Sequence, residues 1–235
     1  MEPIVLIPGT LCDEKLWEHQ KRSFSHFTDV YVADISKGRS VAAMASRILD
    51  EFPTRFALAG LSLGGIVAME IMKQQPDRVT RLALLDTNPH AAADEQIQTW
   101  KSQQRMLDNN QFDEVITHQF IPPLLHNKKS DEHTVSLIKG MCERIGLTGF
   151  SNQLYANMNR PDGMKVLSAI SCPVLIAAGK QDALCSMEMH EEMADEIPHS
   201  TLIFIDNCGH LSTIDQPEAL TAVMHYWLQE NRREE

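Results

Sequence analysis

The chain has 235 residues, 43% of them hydrophobic. That is enough for a sizeable core in one α/β domain with an insertion, and too much for a disordered chain. Lys and Arg number 21 against 32 Asp and Glu, a net charge of −11. A field of that sign repels phosphate backbones and anionic lipid, so neither nucleic acid nor a membrane surface is an expected partner.

The N-terminus, MEPIVLIPGT, moves straight into a strand-like apolar run with no basic leader and no long apolar stretch, so no signal peptide is expected. Five cysteines, Cys12, Cys142, Cys172, Cys185 and Cys208, are scattered, odd in number and without a Cys-x-x-Cys pair. They argue against a disulfide framework or a thiolate zinc site and for a reducing, cytoplasmic setting.

The run Ile4-Val5-Leu6-Ile7 is the first of six short apolar segments. The others are 30–33, 56–59, 82–85, 174–178 and 202–205. All are near-continuous rather than alternating, as strands buried on both faces are. After the first strand comes Pro8-Gly9-Thr10, where Gly9 permits a close approach. Between the strands lie amphipathic helices. Ser40 can cap one with Val41, Met44, Ala45, Ile48 and Leu49 inward, and Ser186 another with Met189, Met193 and Ile197 inward. Pro217 suits the first turn of a last helix with Leu220, Val223, Met224 and Trp227 on its stripe. Strand–helix repetition of this kind predicts a mostly parallel, doubly wound sheet.

The third strand leads into Gly60-Leu61-Ser62-Leu63-Gly64-Gly65 and then an apolar helix that stops before Pro76. Gly-x-Ser-x-Gly between strand and helix is the pattern of a nucleophile elbow, with Ser62 at its apex. The helix start turns free N–H groups and a positive dipole end toward charge developing near Ser62. The fourth strand ends at Asp86, followed by Thr87-Asn88-Pro89. Asp86 is a rival triad acid, but the expected role for its carboxyl is to hydrogen-bond that turn.

From 88 to 165 the strand rhythm stops. Helical pieces are expected around 95–108, 113–120, 132–145 and 149–158, broken by Pro122-Pro123, Gly146 and Gly149. An all-helical insert at this place is expected to form a cap, with residues 1–87 and 166–235 as the two parts of one core domain. Trp100, Phe112, Phe120, Phe150 and Tyr155, with Met106, Met141 and Met158, are the large side chains that could line a pocket beneath it, though at helical spacing such residues are more often core.

The fifth strand runs into Gly179 and then Asp182, and the sixth is followed by Asp206-Asn207-Cys208-Gly209-His210. His19, His26, His118, His126, His133, His190 and His225 lie in helical or polar stretches and are expected to be solvated or packed. His210 stands at the same sheet edge as Ser62, with Gly209 allowing a tight turn. Asp206 is close in sequence but is expected to be a turn residue. The order Ser62, Asp182, His210 is that of a triad on this architecture, with Asp182 favoured over Asp86 as the acid. The expected oxyanion donors are the backbone N–H groups of Leu63 and Thr10.

With these segments in order, the chain resembles the α/β-hydrolase superfamily over nearly its whole length. IVLIPGTLCDEKLW is similar to its oxyanion-loop segment, LAGLSLGGIVAMEI to its elbow, and NCGHLSTIDQPEAL to its histidine loop. Within it, the chain is similar to small, cap-bearing carboxylesterases of the pimeloyl-carrier-protein methyl ester esterase type. Two departures stand out. The family's His-Gly after the first strand is Pro8-Gly9 here, and Ile4–Ile7 already matches the family's third strand. The resemblance implies a serine hydrolase of a small ester or thioester, with no cofactor and no metal. Two alternatives use the same fold: a lyase, acyltransferase or cofactor-free oxygenase, and a non-catalytic binding protein.

Overall fold

A computed structural model describes residues 2–126 and 132–229. Six strands form one parallel sheet: β1 (Ile4–Ile7), β2 (Val30–Val32), β3 (Phe56–Leu61), β4 (Val79–Leu85), β5 (Val174–Gly179) and β6 (Ser200–Ile205), in the order β2-β1-β3-β4-β5-β6. The continuous apolar runs are explained by burial. Every residue of β1, β3 and β5 is buried, whereas the edge strands β2 and β6 are mostly half-buried.

Helices α1 (Glu18–Phe24), α2 (Val41–Glu51) and α3 (Leu63–Gln74) supply the first crossovers. One sheet face, carrying Ile4, Leu6, Ala59 and Leu85, packs against Trp17, Phe24 and Trp227. The opposite face, with Val5, Ile7, Leu58 and Leu84, packs against Met44, Ile48, Val67 and Ile71. Ser40 caps α2 as its sequence suggests, its Oγ accepting from the Ala43 N–H at 3.1 Å; such a cap is worth about 1 kcal/mol.

The described residues between β4 and β5 lie outside the sheet. They form α4 (Asp94–Asp108), α5 (Phe112–Val115), a π-turn (Ile116–Phe120), α6 (Ile121–Leu124), α7 (Glu132–Met158) and α8 (Met164–Leu167). Pro122 and Pro123 do not break this region. They sit in the first turn of α6, where the missing N–H has no helical partner to lose. Gly146 does interrupt α7, at φ 68°, a conformation that favours glycine. Leu107, Ile121, Met141 and Phe150 belong to the same buried cluster as the sheet's Leu6 and Leu85, so these helices share the core of the sheet.

The chain closes with α9 (Met187–Glu196), α10 (Ser212–Asp215) and α11 (Pro217–Gln229). On α9 the inward stripe is His190, Met193 and Ile197, with Met189 only half-buried. Ser186 stands at the N-cap without a side-chain capping bond. Among the described residues, no helix is long and apolar enough to cross a membrane.

Candidate active site

The turn after β3 is built around a strained serine. Ser62 has φ 56° and ψ −119°, a region that costs a non-glycine residue about 1–3 kcal/mol. Its surroundings hold it there. The Ser62 N–H donates to Leu85 O at 3.0 Å, and the Thr87 hydroxyl donates to Ser62 O at 2.7 Å. The flanking glycines are required by close approach. A Cβ on Gly60 would run into the Gly64 carbonyl, one on Gly64 into the Ile7 carbonyl, and one on Gly65 into the Thr87 side chain.

His210 meets Ser62 from the loop after β6. Its Nε2 lies 2.9 Å from Ser62 Oγ, and its Nδ1 lies 2.8 Å from Asp182 Oδ2. Both side chains of the His210–Asp182 pair are almost wholly buried, at 3% and 1% exposure. Asp182 Oδ1 accepts from the N–H groups of Leu184 (2.8 Å) and Cys185 (3.0 Å), which fixes the carboxylate plane. Burial works against the Asp182 charge, but His210 and these donors outweigh it and hold its pKa below the usual aspartate value. Burial likewise opposes protonation of His210, yet the facing Asp182 charge raises its pKa well above the ordinary histidine value.

The Asp182 turn and the His210 loop are locked together. A Cβ on Gly179 would strike the Cys208 and Gly209 carbonyls, so glycine there lets the two loops touch. Gln181 N–H donates to Cys208 O, and Cys208 N–H to Gln181 Oε1, each at 2.9 Å. The left-handed residue of the histidine loop is Asn207 (φ 53°). Gly209 serves close packing instead: a Cβ on it would lie 2.7 Å from His126 N and 3.0 Å from Leu124 O. The His210 N–H itself donates to Leu124 O at 3.2 Å, so the end of α6 holds the histidine loop.

Asp86 departs from expectation. Its carboxyl does not bond the Thr87-Asn88-Pro89 turn. It reaches across the sheet edge instead, Oδ1 accepting from the Gly179 N–H at 3.0 Å and Oδ2 from the Ser212 hydroxyl and N–H. Fully buried and close to Asp182, it has a pKa raised to about 7, with burial the larger cause. The adjoining turn is held by other groups. Asn88 Oδ1 accepts from the His90 N–H, and Thr87 N–H donates to Nε2 of the buried His190 at 3.1 Å. His190 Nδ1 then donates to Ser186 O at 2.8 Å, which sets its tautomer; burial lowers its pKa. His190 is thus packed, as expected, but in a polar chain reaching Ser62 through Thr87. Asp206 is exposed and pairs with Lys180 at 2.8 Å.

The loop after β1 passes directly beside the serine. A Cβ on Gly9 would lie 3.3 Å from Ser62 Cβ. Thr10 and Ser62 line one cavity. Leu63 is the first residue of α3, where a helical N–H has no acceptor within its own helix. Two side chains of α7, neither singled out from sequence, organise the loop. Gln153 Oε1 accepts from the Leu11 N–H at 2.9 Å, and Asn157 Nδ2 donates to Thr10 Oγ1 at 3.2 Å. Gln and Asn on a helix give no distinguishing pattern in one sequence.

The cavity, about 260 Å³, is walled by Ser62, His210 and the Gly9-Thr10 loop on one side and by Trp100, Phe120 and Phe150 on the other. Tyr155 lies elsewhere, 44% exposed beneath the Arg39 guanidinium. Among the described residues, the metal-ligand type atoms that cluster are those of Asp182, Cys185 and His210, within 4.8 Å of one another. Both His210 nitrogens and both Asp182 oxygens carry hydrogen bonds, and burial raises the Cys185 thiol pKa.

A parallel sheet of this order, a strained Ser62 turn after β3 and a helical cap inserted after the following strand together make the α/β-hydrolase fold. The Ndr family matches residues 32–231, and the chain belongs to that family. It is 27% identical to the (E)-2-((N-methylformamido)methylene)succinate hydrolase of Acinetobacter baylyi, over 97% of this chain and 90% of that one. It is 24% identical to a pimeloyl-[acyl-carrier protein] methyl ester esterase of Aliivibrio salmonicida, over 96% and 92%. Among solved structures it resembles a thermophilic esterase from Thermogutta terrifontis, with a TM-score of 0.88 and 24% identity over 98% and 90% of the two chains.

Proposed function

We propose that this protein is a serine hydrolase that cleaves a carboxylic ester or thioester through an acyl-enzyme. One observation carries the reading: Ser62 Oγ, His210 and Asp182 form an unbroken hydrogen-bonded chain at the wall of a cavity. The hydrolase and esterase names of its relatives support it.

In this reading His210 Nε2 takes the Ser62 proton as Oγ attacks the acyl carbon. Asp182 keeps the Nδ1 proton in place and stabilises the imidazolium. The Leu63 and Thr10 N–H groups receive the developing oxyanion. His210 returns the proton to the leaving alcohol or thiol. It then activates the water that frees the acid and restores Ser62. The cap, taken as residues 88–165, shapes the cavity and limits water. The reaction needs neither a metal nor a cofactor.

A fluorophosphonate should label Ser62, and Ser62→Ala should lose both the label and turnover of p-nitrophenyl esters. A label at another residue, or full turnover by Ser62→Ala, refutes the mechanism.

A further inference from the structure

We propose that Arg160 forms a carboxylate-binding end of the active-site cavity, so that the ester or thioester attacked by Ser62 carries a second, free carboxylate. The inference rests on the serine-hydrolase reading for its reaction, but its geometry stands alone. Arg160 follows α7, is only 7% exposed, and lines the same cavity as Ser62 and His210. Its Nε donates to His90 O at 2.9 Å and its Nη2 to Gln96 Oε1 at 3.1 Å. Both acceptors are neutral, and Nη1 has no hydrogen-bond partner among the described residues. Nor does any described carboxylate lie within ion-pair distance of the guanidinium. This is a chain with 32 acidic residues, so the lack of a counter-charge reflects the site and not a shortage of partners.

A buried cation without a counter-ion is costly, and a guanidinium does not escape by losing its proton. Burial does push the Arg160 pKa down, the direction expected of a desolvated cation awaiting an anion. Arg78 offers a comparison: both of its Nη atoms donate, to three carbonyl oxygens and to the Gln75 side chain, and its Nε is buried without a partner, whereas Arg160 keeps its Nη1 unpaired at the cavity it lines.

The neighbouring polar groups are also unspent. Gln103, 6% exposed, lines the cavity, and its amide has no hydrogen-bond partner among the described residues. Asn88, 7% exposed, uses its Oδ1 on the His90 N–H and leaves its NH₂ group free toward any ligand of the cavity it lines. The Trp100 ring, with its centroid 5.4 Å from the Arg160 guanidinium carbon, gives the fork an aromatic shelf. A planar fork with a spare donor, fixed by two neutral acceptors and a ring, suits a carboxylate.

The test places the carboxylate on either side of the scissile bond. On the acyl side, p-nitrophenyl hemiglutarate is compared with p-nitrophenyl valerate; on the alcohol side, 4-carboxyphenyl acetate is compared with phenyl acetate. In at least one pair the charged ester should have a kcat/KM about tenfold to a hundredfold higher, carried by KM. Arg160→Gln should collapse that ratio, and Arg160→Lys should restore part of it. A ratio near one in both pairs for the unmodified protein overturns the proposal, as does an Arg160→Gln protein that keeps the preference. If no ester is turned over, the hydrolase reading fails separately, and calorimetry with monomethyl glutarate then decides the carboxylate site. Binding by the unmodified protein that is lost in Arg160→Gln upholds it, and no binding overturns it. If Arg160→Gln does not fold, the Arg160→Lys ratio and the unmodified protein's own preference decide the matter.

Discussion

The Leu11 N–H donates to Gln153 Oε1 at 2.9 Å, tying the loop after β1 to α7 across 142 residues of sequence. Leu11 has φ 55°, a strained value for leucine, and the bond helps to keep it there. Gln153 is fully buried and anchored through Nε2 to Ile35 O. Gln153→Leu leaves the Leu11 N–H without its acceptor and frees the loop that offers Thr10. We expect kcat to fall by about tenfold to a hundredfold with little change in KM, because misplacing a donor harms the transition state more than ground-state binding. Equal changes in both constants would make Gln153 a binding residue. No change would make the bond incidental.

Asp182 and Asp86 both lie just beyond strand ends at one sheet edge, but only Asp182 bonds His210. Asp182→Asn should lower kcat by roughly 10⁴, as in the reference triad. Asp86→Asn should cost far less, because Asp86 bonds Gly179 and Ser212 instead. Steady-state kinetics of the two variants checks this, and the reverse ranking would transfer the acid's role to Asp86.

The pH profile should carry the signature of the pair. His210 must be neutral to accept the Ser62 proton, and Asp182 raises its pKa above the ordinary 6.5 despite burial. The kcat/KM profile should therefore rise with pH along a limb above that value. Asp182→Asn removes the raising charge and leaves burial, so the limb should move to lower pH as the plateau drops. A limb unmoved in that variant would belong to another group, and Asp86, at about 7, is the nearest candidate.

Asp86 should also leave a trace in stability. Its folded pKa lies above its ordinary 3.8, so folding favours the protonated form. That contribution is complete below 3.8 and is lost as pH rises to about 7. Asp182 has the opposite sign: its pKa is lowered, so its contribution is lost as pH falls. Asp86→Asn should therefore flatten the decline of Tm over the window from 3.8 to about 7. An unchanged slope, measured by calorimetry, would show that Asp86 is charged in the folded protein throughout.

Trp100, Phe120 and Phe150 line the cavity, whereas Tyr155 is exposed outside it. Changing each of the first three to Ala should alter the ratio of kcat/KM between short and long acyl esters. Tyr155→Ala should not. Fluorophosphonate labelling of Ser62 should persist in every folded variant; its loss would draw the cap into the chemistry.

Much of this protein was legible in the sequence because the signals were local. A parallel strand buried on both faces must read as an apolar run, as β1, β3 and β5 do. A serine held at positive φ against neighbouring backbone needs Gly60 and Gly64, so the elbow is written in five consecutive residues. Asp182 and His210 were readable because strand ends at one sheet edge converge.

The tertiary structure decided what depends on contacts between distant segments. The destination of the Asp86 carboxyl, across to Gly179 and Ser212, follows from how the three loops meet, and nothing in LALLDTNP encodes it. Pro122 and Pro123 read as a break in the cap, but a first helical turn tolerates them. Gln153, Asn157 and Arg160 carry no motif. Each takes its meaning from a partner, or a missing one, more than sixty residues away, a relation that forms only when α7 folds back over the sheet edge.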